Sequence, residues 1–81
     1  MNIKILGTGC SKCKTLEKLT NEVVSENNIT AEIGKVEDIV QIMSYGVMAT
    51  PALVINEKVV ISGRVPSKAE IKQQIEKVQN A

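Results

Sequence analysis

Asn2-Ile3-Lys4-Ile5-Leu6-Gly7-Thr8-Gly9-Cys10-Ser11-Lys12-Cys13 is the stretch that decides the fold. Residues 2–6 read as a short strand, and Gly7-Thr8-Gly9 ends it. From Ser11 to about Glu26 the apolar positions Cys13, Leu16, Leu19, Val23 and Val24 recur at intervals of three and four, the stripe of an amphipathic helix. Lys12, Lys14, Glu17, Lys18 and Glu22 occupy the remaining faces and read as solvated charge. Asn27-Asn28 stops the helix. Both cysteines therefore stand where a strand's loop enters a helix.

Further along, residues 29–34 (Ile-Thr-Ala-Glu-Ile-Gly) read as a second strand, with Ile29, Ala31 and Ile33 on one face. Val36, Ile39, Val40 and Met43 predict a short second helix, capped by Gly46. Thr50-Pro51 breaks that pattern ahead of a compact apolar strand, Ala52–Ile55. Proline has no N–H for a ladder, so it belongs at a strand start or a bulge. Asn56-Glu57-Lys58 turns the chain into Val59–Ser62, which predicts a hairpin. Ser67-Lys68-Ala69-Glu70 has capping-box spacing, and Ile71, Ile75 and Val78 stripe a last helix. The order is βαβαββα. It predicts an α/β fold with one mixed four-stranded sheet and helices on both faces, parallel where strand–helix–strand begins the chain and antiparallel at the hairpin. Residues 1–81 are expected to form a single domain, with no repeat or linker in it.

The chain has 81 residues, no His, Trp or Phe, one Tyr, two Cys and a formal net charge of +1. Surface scaling predicts a folded accessible area of about 4,800 Å². Without His there is no Ser–His or Cys–His nucleophile pair and no imidazole metal ligand. Two thiolates do not close a four-ligand structural zinc site. The near-zero charge and scarce aromatics argue against a nucleic-acid partner. No apolar run is long enough to span a bilayer and the start lacks a secretory core, so a cytoplasmic protein with no membrane partner is expected. A Cys10–Cys13 disulfide would close too short a loop to staple a fold. In a reducing compartment such a pair reads as redox or metal chemistry.

Unpaired N–H groups and the positive end of the helix dipole stabilise an anion at a helix start. A thiolate at Cys10 gains from both, so its pKa is expected to fall below that of a free thiol. Cys13 is one turn in and on the apolar stripe, and is expected to be more buried and more protonated. The labour then divides: Cys10 attacks a substrate disulfide and Cys13 resolves the mixed disulfide. A pair of inert thiols is the competing plain reading. Lys12 reads as a surface group and Ser11 as a helix starter.

Together with Tyr45-Gly46-Val47-Met48-Ala49-Thr50-Pro51-Ala52-Leu53-Val54-Ile55, this strand and Cys-x-x-Cys helix start resemble the thioredoxin/glutaredoxin superfamily. The chain looks most like the minimal bacterial and archaeal thioredoxin-like proteins termed redox-active disulfide protein 2. The likeness runs in order along nearly the whole chain, ending with Val59-Val60-Ile61-Ser62-Gly63-Arg64-Val65-Pro66-Ser67. It implies a thioredoxin-like fold of glutaredoxin size, with Cys10 as nucleophile, Cys13 as resolving thiol and Pro51 as a cis-proline. The peptide at Thr50 would then face Cys10 and pair with an extended substrate backbone. Gly63 would let a ligand approach the groove's third wall, and Val47 and Met48 would line the groove, core packing being the equal reading for Met48. The implied redox group is the Cys10–Cys13 disulfide itself, with no other cofactor and no metal. The implied function is a thiol–disulfide oxidoreductase. The implied partners are a protein disulfide, or a small oxidised acceptor, and a reductase that recycles the chain, which is expected to be a monomer.

The departures from the family pattern are specific. Gly9 stands where thioredoxins usually carry Trp, and Ser11-Lys12 replaces Gly-Pro between the cysteines. The first strand carries Lys4 and no buried acid. Ser62-Gly63-Arg64-Val65 lacks the acidic residue by which glutaredoxins hold glutathione's amino end, which argues against glutathione, although Arg64 is placed to meet a carboxylate. Two other classes compete. Thr8-Gly9-Cys10-Ser11-Lys12-Cys13 also resembles the copper-binding loop of heavy-metal-associated domains, and two thiolates suit Cu(I). Those domains have βαββαβ order and no Thr-Pro before the third strand. A redox-responsive adaptor would share the disulfide and lack turnover.

Overall fold

Alternation along the first strand sorts its side chains onto two faces, and each face has its own core. A computed structural model describes residues 1–8, 11–47 and 49–79. Its elements are β1 (Asn2–Leu6), α1 (Ser11–Glu26), β2 (Glu32–Val36), α2 (Ile39–Ser44), β3 (Ala52–Ile55), β4 (Lys58–Ser62) and α3 (Lys68–Gln79), the expected βαβαββα order. The strands form one mixed sheet in the order β2-β1-β3-β4, with β1 parallel to β2 and antiparallel to β3, and β3 antiparallel to β4.

On one face Ile3, Ile5, Leu53, Ile55 and Ile61 pack with Leu16 and Val23 of α1 and Ile71 and Ile75 of α3. On the other, Leu6, Ala52 and Val54 pack with Ile42 of α2 and with Val47. Helices therefore cover both faces. β3 lies between β1 and β4 and is buried along its whole length, which is why its sequence is a continuous apolar run rather than an alternation. Thr20, polar but fully buried, donates its hydroxyl to the Leu16 carbonyl at 2.8 Å. The accessible area is 4862 Å², close to the expected value.

The second strand and second helix lie later in the chain than expected. Asn28 adopts a left-handed conformation (φ 51°) past the end of α1. The Ile29 N–H then reaches back to the Val24 carbonyl at 3.0 Å, and Asn28 N–H to that of Ser25 at 3.4 Å. This is a Schellman closure, with Asn in the position where Gly or Asn serves best. It uses Ile29 to finish the helix, so β2 starts at Glu32 rather than at 29. β2 also takes Val36, which was expected in the second helix. α2 consequently begins at Ile39, with Asp38 as its N-cap accepting the Val40 N–H at 2.8 Å. Its buried side is set by Ile42. Ile39, Val40 and Met43, on whose spacing the helix was predicted, are 58%, 71% and 66% exposed. Gly46 does close the helix, at φ 78° and with its N–H on the Met43 carbonyl at 2.9 Å.

The hairpin is tighter than expected, because Ile55 already pairs with Lys58 and only Asn56 and Glu57 turn the chain. Both have positive φ (49° and 68°), as a two-residue turn matching the strand twist requires. Glu57 is an unusual residue for that conformation, and its carboxylate has a task. One oxygen accepts from Lys4 Nζ at 2.9 Å and the other from the Tyr45 hydroxyl at 2.9 Å, while Lys4 Nζ also donates to Tyr45 at 3.0 Å. The only aromatic residue of the chain thus ties the hairpin to β1 and to the end of α2.

Hydrogen bonds from Lys4, and then from Tyr45, hold the Glu57 carboxyl below its ordinary pKa. A depressed carboxyl stabilises the fold above the ordinary carboxylate range, and that contribution is lost as pH falls through the lowered value. On acidification from about pH 5 to about pH 2, wild type should therefore lose more thermal stability than Glu57→Gln. Melting curves followed by circular dichroism would show it. Parallel losses in the two proteins would show that the triad is not coupled to folding.

Candidate active site

Register alone brings three loops to one end of the sheet. Leu6 lies opposite Ala52 in the antiparallel β1–β3 pair, so residues just past Leu6 and just before Ala52 are neighbours. Ser62 also lies opposite Ala52, from the β4 side, so Gly63 reaches the same end. Hydrogen bonds extend the sheet there: Gly63 N–H donates to the Pro51 carbonyl at 2.9 Å and Gly7 N–H to the Val36 carbonyl at 3.0 Å. Of the residues singled out from the sequence, Cys13, Thr50, Pro51 and Gly63 meet at this end. Cys10 lies outside the described residues, as does Met48.

Cys13 occupies the first turn of α1 and is buried, 5% exposed. Its seat is made by a missing side chain. A Cβ on residue 7 would overlap the Cys13 Sγ and stand 3.0 Å from its Cβ, so only glycine lets the helix start this close to the strand it follows. Sequence reading treated Gly7 merely as the end of the strand. The available signal was its place directly between that strand and the turn leading to the cysteines.

The Thr50–Pro51 peptide is cis, with Pro51 buried and Thr50 exposed. Gly63 is glycine for two reasons. Its φ is 77°, and a Cβ on it would come within 3.2 Å of the Ala49 Cβ. Beside Thr50 opens an apolar groove of about 280 Å³, lined by Ile39, Ile42, Met43, Val47 and Thr50. Val47 lines this groove, and so do Ile39 and Met43 of α2. Arg64, the candidate partner for a ligand carboxylate, already meets one: its guanidinium bonds both Glu70 oxygens, at 2.9 and 2.7 Å. That pairing draws Glu70 away from the second half of its capping box. The first half is present, with Glu70 N–H on the Ser67 hydroxyl at 3.3 Å.

A mixed sheet in the order β2-β1-β3-β4, covered on both faces by helices, with a cysteine-bearing helix leaving β1, defines a thioredoxin-like fold. The chain belongs to the thioredoxin family: the thioredoxin-domain family model matches residues 1–76. It is 45% identical over 73 residues to a thioredoxin of Methanothermobacter thermautotrophicus, covering 90% of this chain and 95% of that protein. A thioredoxin of Methanocaldococcus jannaschii is 38% identical over 73 residues, covering 90% of this chain and 84% of its own. A probable thioredoxin of Archaeoglobus fulgidus is 33% identical over 72 residues, covering 85% and 78% respectively. The kind of function is therefore thiol–disulfide oxidoreduction. Heavy-metal-associated domains have a different element order, so the copper-loop likeness goes no further than the Cys-x-x-Cys loop. Among the described residues, no group of three or more His, Cys, Asp or Glu is arranged to hold a metal ion, and no helix is long and apolar enough to cross a membrane.

Proposed function

We propose that the chain reduces a disulfide of a protein, or of a small oxidised acceptor, by a dithiol mechanism through Cys10 and Cys13. The observation that carries this reading is the seat of Cys13. It is a buried thiol in the first turn of α1, lodged on Gly7 at the sheet end shared with Thr50-Pro51 and Gly63. Cys10 immediately precedes Ser11, the first residue of α1, where free N–H groups and the helix dipole favour a thiolate. No acidic residue stands in the first turn of α1 to oppose that charge.

The Cys10 thiolate attacks one sulfur of the acceptor disulfide. A mixed disulfide forms, and the acceptor's other sulfur leaves as a thiolate that takes a proton from water. The Cys13 thiolate then attacks the Cys10 sulfur and expels the remaining acceptor sulfur. Two electrons have passed to the acceptor, and Cys10 and Cys13 are joined. A cytoplasmic reductase returns two electrons and restores the dithiol. The acceptor docks as an extended segment whose backbone pairs with the peptide at Thr50, while an apolar side chain enters the groove beside it. In a chain with no Trp or Phe, backbone and small apolar groups carry recognition. Glutathione is not the favoured partner, because Arg64 is engaged by Glu70.

Mass measurement after alkylation tests the proposal. The reduced chain, mixed with a protein disulfide, should lose both alkylatable thiols as its substrate gains two. Cys10→Ser should abolish the reaction, and repeated turnover with an external dithiol donor would separate an enzyme from a stoichiometric adaptor. Reduction that survives Cys10→Ser would refute the mechanism.

A further inference from the structure

The β4 edge of the sheet carries an irregularity that shapes a cavity away from the cysteines. Leu53 pairs with Ile61 and Val54 with Val59, so Val60 is an extra residue between them, a β-bulge. Strict alternation would put Val60 on the face opposite Ile61. The bulge re-aims it, and both pack on the face covered by α1 and α3, while Val59 keeps to the other. Lys58 lies opposite Ile55 and so shares that face. On α3, Gln74, Lys77 and Val78 have the spacing that places side chains together.

These two surfaces bound a cavity of about 450 Å³ at the hairpin end of β3, the opposite end from Pro51. Sites for small molecules fall between about 300 and 1,000 Å³. Fully buried Ile55 and half-buried Val60 and Val78 form its apolar floor. Lys58 and Lys77 line its rim, with the amides of Asn56 and Gln74 beside them. Asn56 Oδ1 accepts the Asn2 N–H at 2.9 Å, which leaves the Asn56 side-chain N–H groups as donors.

Both charged side chains that line the cavity among the described residues are cations, and no acid answers them. Glu57, next to Lys58, is held on the other face of the sheet by Lys4 and Tyr45. Glu76, next to Lys77, meets Lys72 at 3.8 Å. Among the described residues neither Lys58 nor Lys77 has an ion pair, whereas Lys4, Lys35, Arg64, Lys68 and Lys72 all pair with Glu. A lysine in the last turn of a helix offsets the dipole, and one on an edge strand deters pairing. Neither role requires an apolar floor between the two.

We infer that this cavity binds an amphiphilic anion, a carboxylate on a medium-length apolar chain. The chain lies on Ile55, Val60 and Val78, and its burial supplies most of the affinity. The carboxylate accepts charge-assisted hydrogen bonds from Lys58 and Lys77, which fix its orientation. Nothing in this binding depends on Cys10 or Cys13, whose helix starts at the other end of the sheet.

Nuclear magnetic resonance of the methyl-labelled chain tests it with octanoate, kept below the concentration at which it forms micelles. Octanoate should shift the Ile55, Val60 and Val78 methyl signals along one saturable curve. Acetate lacks the chain and octanol lacks the charge, so each should bind at least about tenfold more weakly. Joint substitution Lys58→Gln and Lys77→Gln should weaken octanoate at least about tenfold. Gln74→Glu keeps the side chain's shape and adds a like charge at the rim, and should weaken it too. Lys72→Gln removes a charge from the same helix outside the cavity and should leave the affinity unchanged. Shifts that do not saturate, octanol binding as tightly as octanoate, or equal losses in Lys72→Gln and the double variant would overturn the inference. So would binding to vesicles of anionic lipid without any response to octanoate, which would make the two lysines a membrane contact.

Discussion

Gly7→Ala should lower stability by about 1–3 kcal/mol, the usual result of forcing a methyl group into a filled site. For a chain of this size that is a fall in Tm of roughly 10 °C. The new Cβ would overlap the Cys13 Sγ, so strand and helix must separate or the thiol must swing out of its seat. The backbone at Gly7 is not in the left-handed region, which leaves the steric clash as the main cause. The effect should therefore couple to the cysteine. In a Cys13→Ala background the sulfur is gone and only the 3.0 Å approach to the Cys13 Cβ persists, so Gly7→Ala should cost less than half as much there. Chemical denaturation of the four proteins of that cycle measures the coupling. Equal costs in both backgrounds would mean that Gly7 does not shape the thiol's seat.

Leu53→Ala should cost about 2–5 kcal/mol. At roughly 0.05–0.15 kcal/mol per residue, the whole chain has only about 4–12 kcal/mol of stability to lose. Leu53 has no exposed surface, lies opposite Ile5 and Ile61, and belongs to the core that receives α1 and α3. Its loss opens a cavity beneath both helices at once. The site should suffer with the fold, since β3 starts at Ala52, directly after Pro51. A shift in denaturation midpoint worth less than about 1 kcal/mol would show that this core relaxes far more readily than close-packed interiors do.

Where the sequence carried a local mechanism, the fold could be read from it. The spacing of Cys13, Leu16 and Val23, the proline ahead of Ala52–Ile55 and the Ser67–Glu70 cap each name their element, and the structure has them at those positions. β2 and α2 were misplaced because Ile29, Ala31 and Ile33 alternate as a strand does. What prevails is a helix closure at Asn28 and Ile29, followed by pairing with β1, and pairing is a tertiary fact. The same limit applies to the site. Thr50, Pro51 and Gly63 were singled out because their residue types and order resemble a known pattern. Gly7 was missed because its value lies in what it leaves room for.

The most direct test of the central claim is to trap the first half of the reaction. Cys13→Ser, mixed with a protein disulfide and digested without reductant, should yield a stable adduct in which the peptide containing Cys10 is joined through sulfur to the substrate. Wild type under the same conditions should release the substrate reduced and hold Cys10 and Cys13 in one disulfide. If Cys13→Ser forms no adduct, or the adduct survives equally in wild type, Cys10 and Cys13 do not act as nucleophile and resolving thiol.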